Sequence, residues 1–318
     1  PLLIRFPALA RTPRVSLGDL PTPVRRLDAT GTALPGTLWI KRDDLSAPTL
    51  GGNKVRALEF LLAGLSPGDV VLTAGGEGST HVLTTAFYAR QLGAVTHAVR
   101  WRHDMNPSAL AVSDRARALC ERIITTGSPL AGLLRAHAAR GRATRWIPPG
   151  GTSPLGMLGH VNAALELAEQ ITRGEMPEPA TVVLPVGSGG TAAGLALGFA
   201  IAGMRTRVIG ARVAPRIVAG RWRVLSLAER ARRYLERAAG EPIARVNPAR
   251  VEIVHDVYAG AYGRPLPAAG ASAAQLDRTT GIRVDWTYSA KAFHAAIACA
   301  AADRDSVVLF WLTYDGRG

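Results

Sequence analysis

Three lysines stand among the 38 basic residues of this chain, Lys41, Lys54 and Lys291, and every other basic residue is arginine. Such a chain has accepted arginine wherever positive charge alone was needed. Arginine cannot form a Schiff base, because its guanidinium keeps its proton while a part-buried amine can lose one. Lys54 follows Gly51-Gly52-Asn53 at the mouth of an apolar-periodic stretch, which marks it as a covalent catalyst. The plain alternative is a surface lysine at a helix start, where its charge would oppose the helix dipole.

A second segment, Leu184-Pro-Val-Gly-Ser-Gly-Gly-Thr-Ala-Ala-Gly194, runs from an apolar strand into a glycine turn, with a helix expected from Thr191. The backbone N–H groups of Ser188, Gly189, Gly190 and Thr191 would converge on one anion at the helix axis. Gly194 and Gly198 are expected to let that helix lie tightly on the sheet. A dinucleotide site is the rival, since Gly187-x-Gly189-x-x-Ala192 nearly fits its fingerprint. That site needs a carboxylate about twenty residues on for the ribose, and Arg207-Val-Ile-Gly-Ala-Arg-Val supplies none. A phosphate monoester fits better, and a tight turn without a ligand is the remaining alternative. An amine able to form a Schiff base together with a cradle for one phosphate points to pyridoxal 5′-phosphate.

These residues need elements to hold them. The chain has 318 residues, 47% apolar and 19% charged, with a net charge of +14. Its arginines are scattered, without basic runs or interleaved aromatics, so no nucleic-acid partner is expected. Cys120 and Cys299 form no CxxC, and the seven histidines show no metal-ligand spacing. The apolar run from Thr191 to Met204 is too short to span a bilayer, and the first residues read as no secretory signal. A cytoplasmic location is expected.

Strands are predicted at Leu38–Lys41, Val70–Thr73, Val95–Arg100, Arg122–Thr125, Arg145–Ile147, Thr181–Val186, Arg207–Val213, Val251–His255 and Val307–Leu312. Between them lie helical patterns. Leu58, Leu61, Leu62 and Leu65 follow the i, i+3, i+4, i+7 rule, and Asn106-Pro107 reads as a cap and first turn. Alternation of this kind predicts an α/β protein with parallel-type sheets covered by helices. The predicted division is a small inserted domain over 58–156 and a large one from 1–57 plus 157–318. Pro265 to Ala274 reads as a loose loop, Asp43-Asp44 as a turn and cap, and Glu77 as solvent-facing.

Lys41-Arg-Asp-Asp-Leu, Gly51-Gly-Asn-Lys-Val-Arg-Ala-Leu-Glu-Phe60 and Leu20-Pro-Thr-Pro-Val resemble the family of D-cysteine desulfhydrase and 1-aminocyclopropane-1-carboxylate (ACC) deaminase. So do Thr73-Ala-Gly…Ser79-Thr-His81, Ile147-Pro-Pro-Gly-Gly-Thr-Ser, Ala261-Tyr-Gly-Arg-Pro and Gly281-Ile-Arg-Val-Asp-Trp-Thr-Tyr-Ser. The resemblance covers nearly the whole chain. It implies the tryptophan synthase β-like fold, bound pyridoxal phosphate and commonly a homodimer acting on a small amino acid. It places Lys54 on the cofactor, with Asn53, Thr80, Gly187, Ser188, Gly189, Gly190, Thr191 and Thr313 around it. Thr313 falls at the contact to the ring nitrogen, where a neutral hydroxyl makes the ring a weaker electron sink. Ser79, Thr80, His81, Tyr288 and Ser289 would meet the substrate, with Ser79, Tyr262 and Tyr288 as further catalytic groups.

Ser289 and Thr313 match the desulfhydrase branch, where the deaminases carry glutamate and leucine. The resemblance therefore implies β-elimination from an amino acid such as D-cysteine, giving pyruvate, ammonia and sulfide. ACC deamination, or a biosynthetic relative acting on an unusual amino acid, is the enzymatic alternative. The family's serine-asparagine becomes Ser79-Thr80, and its threonine-glycine-glycine becomes Thr313-Tyr-Asp-Gly316. Departures clustered at the ring also admit a cofactor-binding protein that has lost turnover.

Overall fold

A computed structural model describes residues 1–27, 34 and 37–314; Asp315 and Gly316 of the altered terminal motif lie outside them. The chain folds around two sheets. The larger has the order β1 (Val24–Arg26), β2 (Thr37–Arg42), β10 (Val307–Leu312), β7 (Thr181–Val186), β8 (Arg207–Arg212) and β9 (Val251–Val254). The smaller has the order β5 (Arg122–Thr126), β4 (Val95–Trp101), β3 (Val70–Gly76) and β6 (Arg145–Ile147). Pairing is parallel throughout except between β1 and β2. That antiparallel edge was not foreseen, because Val24-Arg-Arg26 carries no apolar alternation.

Both faces of the larger sheet are covered, and strand periodicity sorts the side chains between them. Val182, Leu184, Leu309 and Trp311 pack in one core with α6 (Pro154–Thr172), α7 (Gly190–Ile201) and α9 (Arg221–Ala239). Their neighbours Val183, Val308, Phe310 and Leu312 turn to the other, with α10 (Pro267–Thr280) and α11 (Ser289–Ala302). Each large side chain so buried contributes about 1.5–3 kcal/mol. On the smaller sheet α3 (Thr80–Gln91) and α4 (Pro107–Leu119) share a core with β4, and α5 (Pro129–Ala139) covers the opposite face. Two short helices, α1 (Leu2–Arg5) and α8 (Arg216–Ala219), lie outside these layers.

Three local expectations are corrected. The helix bearing Lys54, α2, spans Asn53–Leu61 and stops at Leu62, short of Leu65. Residues 267–274, read as a loop, open α10, where Pro267 takes the first turn and Trp286 lies over Gly270. Runs of alanine and glycine carry no periodicity of their own, which hid this helix. Gly194 and Gly198 face a helix rather than the sheet. A Cβ at Gly194 would stand 2.4 Å from the His160 Cβ of α6, and one at Gly198 2.4 Å from that of Ala164. On its other side α6 meets α2, where a Cβ at Gly159 would come within 2.0 Å of the Arg56 carbonyl oxygen. Close contacts α2–α6 and α6–α7 thus fix the distance between Lys54 and the glycine turn before α7.

A buried polar cluster locks the same elements. Arg56 of α2 donates to Asp43 at 2.7 Å and to Glu166 of α6 at 2.9 Å, and Lys41 of β2 donates to Glu166 at 2.6 Å. The Trp311 indole of β10 donates to Asp43 at 2.8 Å. Asp43-Asp44 does form a turn, a short 3-10 segment. Its first carboxylate is also half of a buried ion pair. All three lysines prove to be sequestered: Lys41 and Lys291 are fully buried and Lys54 half-buried.

Candidate active site

The approach to Lys54 is set by backbone. Gly52, the residue before α2, has φ of 146°, a conformation that side chains rarely adopt. A Cβ there would lie 2.5 Å from the Thr313 carbonyl oxygen. The Asn53 N–H donates to that same oxygen at 2.9 Å, so the end of β10 lies directly beside the first turn of α2. The Ser46 hydroxyl closes the loop by accepting the Gly52 N–H at 2.9 Å. Placement of Lys54 next to Thr313 therefore requires glycine at position 52.

The Lys54 amine stands 3.4 Å from the Gly150 carbonyl oxygen. Burial lowers its pKa from 10.5 to about 8, so a useful fraction is the unprotonated nucleophile near neutral pH. Gly150 in turn backs onto the glycine cradle, for a Cβ at 150 would meet the Ser188 hydroxyl at 2.3 Å. Thr152 donates to that hydroxyl at 2.7 Å. From the other side the Asn53 amide donates to the Thr191 hydroxyl at 2.8 Å.

Gly189 takes the left-handed conformation (φ 86°) as the cap of α7. The first-turn N–H groups of a helix have no partner within it, and here they open beside Ser188 and Thr191. α7 has no acidic residue in its first turn to fill that place. The cradle suits one anionic group, favoured also by the helix dipole.

Tyr288 borders the cradle: a Cβ on Gly187 would touch its ring at 3.8 Å. Its hydroxyl is hydrogen-bonded to that of Tyr262. Burial raises Tyr262 to about 12, and burial with the neighbouring Tyr262 raises Tyr288 well above the ordinary phenol range. Both keep their protons at neutral pH, so the pair can donate. The Asp285 carboxylate accepts the Tyr288 N–H at 2.6 Å and the Ser289 N–H at 3.0 Å, which fixes the start of α11. Ser289, expected at the substrate, is fully buried there.

On the smaller sheet, Ser79 holds the N-cap position of α3 without a side-chain hydrogen bond to the helix and is half-buried, with Thr80 behind it buried. His81 points inward, its Nε2 2.9 Å from the Thr73 hydroxyl, which donates to the Ile147 carbonyl oxygen at 3.0 Å. Burial and the nearby Lys54 charge hold His81 down to about 3, so it is neutral. Glu77 is not solvent-facing: its side chain is 16% exposed and lies 3.6 Å from the buried Arg100 guanidinium.

The structure thus brings together Lys54, Asn53, Thr313, the 187–191 turn, Tyr262 and Tyr288. Gly150 and Thr152, which join Lys54 to the cradle, were not singled out from sequence. The Pro-Pro-Gly-Gly-Thr string was their signal. His160, whose Nε2 is 3.4 Å from the Thr191 hydroxyl, gave none.

A family profile described as pyridoxal-phosphate dependent enzyme matches residues 15–313. The chain is 38% identical over 321 residues to nocardicin C-9′ epimerase of Nocardia uniformis subsp. tsuyamanensis, covering 96% of this chain and 93% of that one. It is 32% identical over 317 residues to D-cysteine desulfhydrase of Serratia proteamaculans, covering 95% and 93%. Among solved structures, an ACC deaminase homologue superposes with a TM-score of 0.81 at 28% identity, over 98% of this chain and 95% of that one. An O-ureido-L-serine synthase shares the fold, with a TM-score of 0.65 at 16% identity over 97% and 91%.

Proposed function

Because the chain belongs to the pyridoxal-phosphate dependent enzyme family, we propose that it is a lyase using that cofactor on a small amino acid, by β-elimination of the D-cysteine type. The observation that carries this reading is the half-buried Lys54 amine, lowered to about 8, beside both the Thr313 backbone and the turn that leads to the 187–191 cradle. Pyridoxal phosphate suits this set. The amine matches its aldehyde, the open α7 N-terminus its phosphate, and the neutral Thr313 its ring nitrogen.

When bound, the cofactor supplies an electron sink for charge that develops at the substrate Cα. Lys54 then takes the Cα proton as general base. The N-terminus of α3, which Ser79 and Thr80 open, holds the substrate carboxylate on its dipole. The Tyr262–Tyr288 pair gives a proton to the sulfur as the Cβ–S bond breaks, so that sulfide leaves neutral. Hydrolysis of the remaining enamine releases pyruvate and ammonia. His81 stays neutral beneath Lys54 and adds no competing positive charge.

A second reading has specific support. The 38% identical relative is named for epimerisation, and epimerisation also starts with removal of a Cα proton. It ends with a proton returned to the opposite face, without loss of a β-group, and the paired phenols are suited to supply it. The reading also takes in the division at 58–156, supported by the separate four-stranded sheet, and a cytoplasmic homodimer. Exposed Ile217 and Trp222 offer apolar surface for pairing. Among the described residues no helix is long and apolar enough to cross a membrane.

The test is incubation of the cofactor-loaded protein with D-cysteine in D₂O, following pyruvate, sulfide and the Cα proton signal. Elimination gives pyruvate and sulfide together. Proton exchange with appearance of the other enantiomer and no pyruvate would replace elimination by epimerisation. Neither product nor exchange, with D-cysteine or other small amino acids, would contradict both.

A further inference from the structure

Between the end of β4 and α4, residues 102–106 reach from the smaller sheet to the loop that carries Tyr262. The His103 ring meets the Tyr262 ring edge-to-face, with centroids 4.7 Å apart and planes at 85°, a favourable aromatic geometry. Its Nε2 stands 2.5 Å from the Glu77 carbonyl oxygen and its Nδ1 2.7 Å from that of Asp104. Carbonyl oxygens only accept and a neutral imidazole carries one N–H, so the tautomer with its hydrogen on Nε2 donates to the Glu77-Gly78-Ser79 turn. Gly76 leaves room for this, since a Cβ there would come within 2.9 Å of the imidazole. One turn on, the Asn106 amide donates to the Gly263 carbonyl oxygen at 3.0 Å and to the Thr287 hydroxyl at 3.1 Å, while its oxygen caps α4.

One imidazole therefore touches two functional segments from opposite halves of the molecule: the turn that ends in Ser79 and the loop that holds Tyr262. Asn106 fastens the same loop and also the residue before Tyr288. We propose that His103, with Asn106, is a latch that positions Tyr262 and the Ser79 turn for the reaction. This rests on the reading above only in giving Ser79 to the substrate carboxylate and Tyr262 to proton transfer. His103 is a positioning residue, since it acts through those two groups.

The latch is testable apart from any substrate. Amide hydrogen exchange would be followed in the cofactor-loaded protein for peptides spanning 76–79 and 259–265. His103→Phe keeps a ring against Tyr262 and removes the donor to Glu77. It should raise exchange at 76–79 about fivefold, the factor expected for one lost hydrogen bond, and spare 259–265. His103→Gln keeps a donor but no ring and should do the reverse, and Asn106→Leu should loosen 259–265 alone. Unchanged exchange at both segments, or equal loosening in every variant, would overturn the latch.

With D-cysteine turning over, His103→Phe should raise KM with kcat held, and His103→Gln should lower kcat with KM held. The opposite split would also overturn it. A wild-type protein inactive on D-cysteine would count against the substrate reading alone, and the exchange data would still decide the latch.

Discussion

Lys54 differs from a surface lysine in one measurable respect, its readiness to lose a proton. Because burial brings the amine from 10.5 to about 8, cofactor capture by cofactor-free protein should quicken with pH and level off just above 8. A rate still climbing toward 10.5, followed as growth of the visible band, would mean an ordinary lysine. Tyr262→Phe removes one partner of the phenol pair without touching the cradle. It should leave the band intact and lower kcat by about 10²–10⁴, the usual contribution of a positioned acid. A loss below threefold would remove Tyr262 from the chemistry. The lysine and the cradle were legible in sequence because their residue types are chemically distinctive. Asn106 was legible as the cap of α4, but its link to Thr287, 181 positions apart, and the roles of His103 and Thr152 were not, because they exist only through long-range contacts.

At the level of elements, the site is spaced by helices that touch through glycine. Gly159→Ala would drive a Cβ to 2.0 Å from the Arg56 carbonyl oxygen of α2, and backbone cannot yield as a flexible side chain would. Overpacking of this kind costs about 1–3 kcal/mol, seen as a lower urea midpoint, and should weaken cofactor retention by shifting α2. Stability and retention both unchanged would show that α2 and α6 adjust freely. The core strands were readable because apolar, β-branched runs mark strands buried on both faces. β1, α10 and the end of α2 were missed for a shared reason. A three-residue edge strand, an alanine-glycine helix and a helix stopping inside a leucine repeat owe their form to tertiary packing, which leaves little trace in local periodicity.

Across the whole molecule, the buried Arg56–Asp43–Glu166–Lys41 cluster joins β2, α6 and, through the Trp311 indole, β10 to the helix that bears Lys54. Burial alone would raise Glu166, and the charges of Arg56 and Lys41 more than reverse it, from 4.5 to about 2. A carboxyl held lower in the folded state stabilises fully above its unfolded value and loses that contribution as pH falls. Stability should therefore decline between about pH 4.5 and 2, measured by urea midpoints. Arg56→Met removes the guanidinium shared by two buried carboxylates, leaving Glu166 with Lys41 and Asp43 with the Trp311 indole, and should cost about 3–5 kcal/mol near neutral pH. A cost below 1 kcal/mol would mean that water enters the cluster. Even the fold class was visible in sequence, but this cluster was not, since Asp43 read only as part of a turn and cap and no motif singled out Glu166.

Lys54, and no other lysine, is expected to carry pyridoxal phosphate. With three lysines in the chain the measurement is clean. The loaded protein is reduced with borohydride to fix the linkage, digested, and its peptides are weighed by mass spectrometry. The added pyridoxyl mass is expected on the peptide containing Lys54 and absent from the Lys54→Ala variant. The mass on Lys41 or Lys291, or on no peptide at all, would contradict it.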